Sequence, residues 1–104
     1  MNNSFSKIEK DSGFNFFYKL VMANASEAFQ LSLKDGGEVM VRFDMVFDDD
    51  SSSQADTSLI EMEYRTISFE IIKVLKNDPS LHYKEGDFIL VNPLEMPSSY
   101  KIVK

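Results

Sequence analysis

Cysteine is absent from the 104-residue chain, and histidine occurs once, as His82. The first absence excludes disulfides, thiolate metal sites, iron–sulfur clusters and a cysteine nucleophile. The second excludes the multi-histidine sites that hold catalytic zinc. No stretch approaches the roughly 18 apolar residues of a membrane span. There is no glycine-rich phosphate loop either, since Gly36-Gly37 is not followed by Gly-Lys-Ser/Thr. The opening Met1-Asn2-Asn3-Ser4-Phe5-Ser6-Lys7 lacks a basic segment leading into an apolar run, so it does not read as a secretory signal. The expected compartment is therefore cytoplasmic, and the Asn-x-Ser matches at Asn2 and Asn24 read as chance.

What the chain does have is aromatic bulk and acid. Hydrophobic residues make up 43% of it, with nine Phe and four Tyr, enough for the core of one domain and not for two. The formal net charge is −6, and it is unevenly spread. Between Asp35 and Glu63 nine acids face a single base, Arg42. Such a segment repels phosphate backbones and is attracted to basic protein surfaces.

The clearest local signal is a hairpin. Phe29, Leu31 and Leu33 alternate with polar residues, Asp35-Gly36-Gly37 follows, and Val39, Val41, Phe43, Met45 and Phe47 then alternate again. Two period-two runs flanking Asp-Gly-Gly predict paired strands joined by a tight turn. Upstream, Phe14, Phe16, Tyr18, Leu20 and Met22 also alternate and predict a strand over 14–22, after a polar, flexible N-terminal segment 1–12. Downstream, residues 48–58 carry nothing able to pack and predict a solvated acidic loop. Ile60, Met62 and Tyr64 share one face, whereas Ile67, Phe69 and Ile71 share the opposite parity, which predicts a bulge near Arg65-Thr66. Asp78-Pro79 suits the start of a short helix that Gly86 would end. Phe88–Val91, apolar on both sides, predicts a central or covered strand, and Tyr100–Val103 predicts the last one. The order strand, short helix, Gly86-Asp87, strand resembles the join between the third and fourth strands of OB-type barrels. The expected fold is all-β with at most one short helix. Residues 13–104 would form a single domain, a small OB-like β-barrel of six to seven strands, with a two-sheet β-sandwich as the alternative.

Candidate chemistry is sparse. The twelve residues from Asp50 to Glu61 place Asp50, Ser52, Gln54, Asp56 and Glu61 at ligand positions of a calcium loop. Ala55 stands where that loop turns on glycine, and strands rather than helices flank it, so no metal is expected. Glu61 and Glu63 lie roughly 7 Å apart on one strand face. Pointing into solvent, they lack the burial that makes a carboxyl a general acid; Arg65 or Arg42 would pair with them. His82 has no nucleophile in a recognised setting beside it. Single-strand binders set stacking rings beside bases, and here Phe17 would share a strand face with Lys19 while Tyr100 neighbours Lys101. Two arginines and a negative middle argue against direct nucleic-acid binding.

The sequence therefore predicts no enzyme, no cofactor and no membrane association. It predicts a binding protein whose acidic β surface meets a basic protein partner, for example as an inhibitor or immunity-type protein seated in the groove of a nucleic-acid-binding enzyme. The expected partner-binding residues are Glu38, Arg42, Asp44, Asp48, Asp49, Asp50, Asp56, Glu61 and Glu63. The alternatives are a self-assembling subunit or homodimer using the outward Met40 and Val46, and a barrel that binds a small ligand or carbohydrate.

Overall fold

The Asp35-Gly36-Gly37 turn forms as its chemistry requires. In the computed structural model, which describes residues 5–50, 63–77 and 83–103, the Gly36 N–H donates to the Leu33 carbonyl at 3.0 Å and Leu33 N–H to the Gly37 carbonyl at 2.8 Å. Gly36 takes φ 98°, a left-handed conformation that costs glycine nothing because it has no Cβ. This is the three-residue hairpin loop closed by a glycine bulge. It joins strand β1 (Ala28–Ser32) to β2 (Glu38–Asp50), in antiparallel register from Ala28↔Arg42 to Ser32↔Glu38.

β2 continues into a long antiparallel pair with β3 (Glu63–Lys76), β4 (Phe88–Val91) adds to β3, and β5 (Ser99–Val103) closes back onto β1. The strand order is β4-β3-β2-β1-β5. Strand dominates and the helices are short, as an all-β reading requires. The described residues nevertheless hold five strands in one open sheet with β4 and β5 at its edges. Neither the closure of a six- to seven-stranded barrel nor a second sheet is seen among them.

Residues 14–22 explain the missing strand. They are helical, within α2 (Phe14–Ala23), preceded by α1 (Lys7–Asp11) in the segment expected to be loose. In Phe-Asn-Phe-Phe-Tyr-Lys-Leu-Val-Met so many positions are apolar that periods of 2 and 3.6 both fit. The buried set is Phe14, Phe17 and Val21, with Tyr18 and Met22 packed beside them, the i, i+3, i+4, i+7, i+8 stripe of an amphipathic helix. Phe16, on the alternation but off the stripe, is 66% exposed. α2 lies on one face of the sheet, where Phe29, Leu31, Val39, Val41, Ile67, Phe69, Ile71 and Val91 are also buried. The Phe17 ring is the central contact, 5.8 Å from Phe69 and 4.6 Å edge-on from Tyr100.

α1 is fastened at both ends of its single turn and a half. The Ser6 hydroxyl accepts from Glu9 N–H at 3.4 Å, and Glu9 Oε1 accepts from Ser6 N–H at 2.8 Å, a reciprocal capping box. Glu9 itself is 2% exposed. Its carboxylate accepts from the Arg65 backbone N–H at 2.9 Å and from the guanidinium at 3.0 and 3.1 Å. The same guanidinium lies over Phe5 at 4.8 Å and Tyr18 at 5.1 Å. A buried charge held this way ties the N-terminal segment to β3, since removing either partner would strand the other away from water. Among the described residues no helix is long and apolar enough to cross a membrane.

Candidate partner-binding surface

Because α2 covers one face of the sheet, whatever alternates with the core residues points to the other face. Three register shifts in the β2–β3 pair decide which residues those are. The decisive one lies between Phe43 and Met45, where Phe43 opposes Phe69 and Met45 opposes Ser68. Asp44 is the extra residue of a β-bulge, and past it the parity of β2 inverts. Val46 accordingly packs against the core, while Met45 and Phe47 are 50% and 36% exposed. The sequence reading had these the other way round, with Met45 and Phe47 continuing the buried series and Val46 outward. No shift occurs at Arg65-Thr66, where a bulge was expected: Asp48↔Arg65, Phe47↔Thr66 and Val46↔Ile67 run without a break.

On the outer face the register sets up rows across three strands. Arg42, Glu70 and Phe88 form one; Met45, Ser68 and Leu90 form the next; Phe47 and Thr66 form the third. Phe88 and Leu90 are 57% and 53% exposed, so β4 is an edge strand with one face uncovered, where the sequence suggested a covered one. Between these side chains Ser68 and Thr66 form a floor only 5% and 0% exposed, and the Thr66 hydroxyl has no hydrogen-bond partner among the described residues. Toward β1 and β5 the outer face is mostly polar, with Met40 its apolar member: Gln30 pairs with Met40 and Lys101, and Ser32 with Glu38 and Ser99.

The expected acidic site is only partly gathered. Glu38 opposes Lys76 at the hairpin end of β2, roughly 30 Å along the strand from Asp48 at about 3.3 Å per residue. Arg42 is ion-paired with Glu70, with N···O distances of 2.6 and 2.8 Å, rather than with Glu61 or Glu63. Asp44, on the bulge, and Asp48 are both exposed. Asp49 and Asp50 follow on β2, in register with Tyr64 and Glu63 of β3. Asp56 and Glu61 lie outside the described residues, as do His82 and the start of the expected helix at Asp78. The structure therefore separates Glu38 from the acidic end of β2; there Asp44 borders the apolar half of the outer face, whereas Asp48 shares the parity of Val46 and belongs to the edge of the helix-covered face. The apolar residues of the outer face escaped the sequence reading because one bulge residue reversed their parity. The sequence held no signal for it, since an acid at position 44 is what an unbroken alternation would also place outward.

A second concavity lies at the hairpin turn, a cavity of about 320 Å³ lined by Leu33, Asp35, Tyr83, Ile89, Glu95 and Met96 among others. The Tyr83 hydroxyl donates to Asp35 at 2.5 Å, and Gly37 N–H donates to the same carboxylate at 3.1 Å. These two donors hold the Asp35 carboxyl below its usual range. Burial, then the bonded and charged Asp35, push the Tyr83 phenol up to about 12. Gly37 is required by the close approach, since a Cβ there would meet the Tyr83 ring at 2.9 Å. This contact fastens the segment before β4 to the hairpin. With the phenol retaining its proton and the carboxylate its charge near neutral pH, the pair is a brace rather than a proton-transfer couple. Among the described residues no group of three or more side chains is arranged to hold a metal ion. No family model, curated protein or solved structure matches the chain.

Proposed function

We propose that the protein is a non-catalytic, cytoplasmic binding protein that docks onto a basic protein partner through the acidic end of β2, from Asp44 onward, with inhibition of a nucleic-acid-binding enzyme as the concrete form. The observation that carries this reading is the clustering of Asp44 and Asp48, both exposed, on the strand that continues through Asp49 and Asp50. The bases nearest in register, Arg65 opposite Asp48 and Arg42 two residues before Asp44, are paired with Glu9 and Glu70, so they do little to offset that charge. A field of one sign at one end of a sheet speeds encounter with a surface of the opposite sign and discourages acidic competitors.

The test is a comparison of association rates on immobilised basic proteins, nucleases and other nucleic-acid-binding enzymes among them, for the native chain and a D44N/D48N/D49N/D50N variant. Binding should slow at least tenfold in the variant, and the native rate should fall steeply between about 50 and 500 mM salt as screening shortens the reach of the charges. Binding indifferent to both salt and the four substitutions would remove the proposal.

A further inference from the structure

We infer that the apolar half of the outer face, Met45, Phe47, Phe88 and Leu90 over the Ser68–Thr66 floor, is the seat of a basic amphipathic helix supplied by the partner. This rests on the preceding reading and specifies how that partner engages. Three observations converge on it.

The first is size. Across β2, β3 and β4 the patch spans roughly 10 Å at about 4.8 Å between strands, and from the Phe88 row to the Phe47 row roughly 13 Å. A helix is about 10 Å wide and rises about 1.5 Å per residue, so the patch is the footprint of two to three turns. The inner face of this same sheet already receives a ten-residue helix, α2.

The second is the rim. Exposed acids border two of the apolar residues: Asp44, on the bulge, stands beside Met45, and Asp87 immediately precedes Phe88 at the start of β4. An occupant with an apolar stripe flanked by lysine or arginine satisfies both the centre and the border. The same border disfavours a second copy of this chain, because stacking two such faces would bring their Asp44 carboxylates toward one another.

The third lies beneath. The Thr66 hydroxyl is fully buried at the floor of the patch with no partner among the described residues. Such a group costs free energy wherever nothing donates to or accepts from it, and an element arriving over Phe47 and Leu90 is placed to supply one.

The probe is a synthetic three-turn peptide with leucine at the i, i+3, i+4 and i+7 positions and lysine elsewhere, titrated into the full chain. Two controls accompany it, one with the same leucines and lysines in strict alternation and one with glutamate in place of lysine. The helical Leu/Lys peptide should shift the backbone amide resonances of Met45, Phe47, Ser68 and Leu90 and bind at least tenfold more tightly than either control. Its affinity should fall at least tenfold in Leu90→Ser and in Phe88→Ser. Both side chains are more than half exposed, so circular dichroism should report an unchanged fold. Absence of peptide binding, equal binding of the alternating control, or unchanged affinity in both serine variants would overturn the inference. Salt-sensitive binding that survives both variants would overturn it while leaving the acidic-surface proposal intact. A concentration-dependent dimer abolished by Leu90→Ser would assign the face to a second copy instead.

Discussion

The two faces of the sheet are built from the same residue types and end in opposite conditions. On the inner face Phe29, Leu31, Val39, Val41, Ile67, Phe69 and Ile71 are at most 1% exposed, beneath Phe14, Phe17 and Val21 of α2. On the outer face Met45, Phe47, Phe88 and Leu90 are 36–57% exposed, with polar residues toward β1 and β5. Scattered apolar residues on a surface need no explanation, whereas contiguous ones rimmed by charge mark a place where something binds. The difference between the faces is thus one of occupancy. The chain carries its own cover for one side and leaves half of the other side open.

The comparison breaks first at Phe17. Truncation to alanine removes the ring that Phe69 and Tyr100 pack against, and should cost about 3–5 kcal/mol, a large share of the roughly 5–15 kcal/mol typical of a domain. Phe88→Ala on the outer face should stay within about 0.5 kcal/mol. Urea unfolding of both variants reads this directly; similar losses in the two would mean that the outer face belongs to the core. The charged pairs on the two sides should part in the same direction. Glu9→Ala leaves Arg65 without its buried carboxylate and should cost about 3–5 kcal/mol. Arg42→Ala removes a pair whose side chains are 63% and 29% exposed and should cost about 0–1 kcal/mol, less in salt. Thermal midpoints at low and high ionic strength would separate them, and a strong salt dependence at Glu9 would contradict its burial.

These contrasts also show what could be read in advance. The β1–β2 hairpin was legible because turn chemistry and alternation agreed at Asp35-Gly36-Gly37. The strands around Ile67–Ile71 and Tyr100–Val103 were legible from their apolar residues, without a turn signal to support them. α2 was not, because an almost wholly apolar run such as Phe14–Met22 satisfies both periods, and only tertiary packing chooses between them. The overlooked cues were local ones: Ser6 and Glu9 at capping-box spacing, and Phe14, Phe17, Tyr18, Val21 and Met22 at helical spacing. The apolar outer patch was hidden by a different mechanism. A bulge adds one residue and inverts everything beyond it, and Asp44 has no turn signature to announce it. The acidic character of residues 35–63 could be counted from the sequence, but its division into Glu38 at one end of β2 and Asp44–Asp50 at the other depends on strand length.

The smallest expected effect sharpens the comparison at its border, where Tyr83 and Asp35 brace the hairpin turn against the segment before β4. A tyrosine whose folded pKa is about 12 against about 10 when unfolded binds its proton more tightly in the native state. Its contribution to stability is then complete below about pH 10 and is lost as the pH rises from there toward 12. The Asp35 carboxyl, held below its usual range by the same bond, works with the opposite sign. Its contribution is present above about pH 4 and is lost as the pH falls through its lowered value, by an amount that solvent screening keeps small at so exposed a group. Ultraviolet titration of the phenols should show one of the four tyrosines ionising last, and Tyr83→Phe should delete that late step. The Gly37→Ala variant, whose new methyl meets the Tyr83 ring, should shift the step toward pH 10 by loosening the contact. A late step that persists in Tyr83→Phe would locate the perturbed phenol elsewhere and remove the brace as its cause.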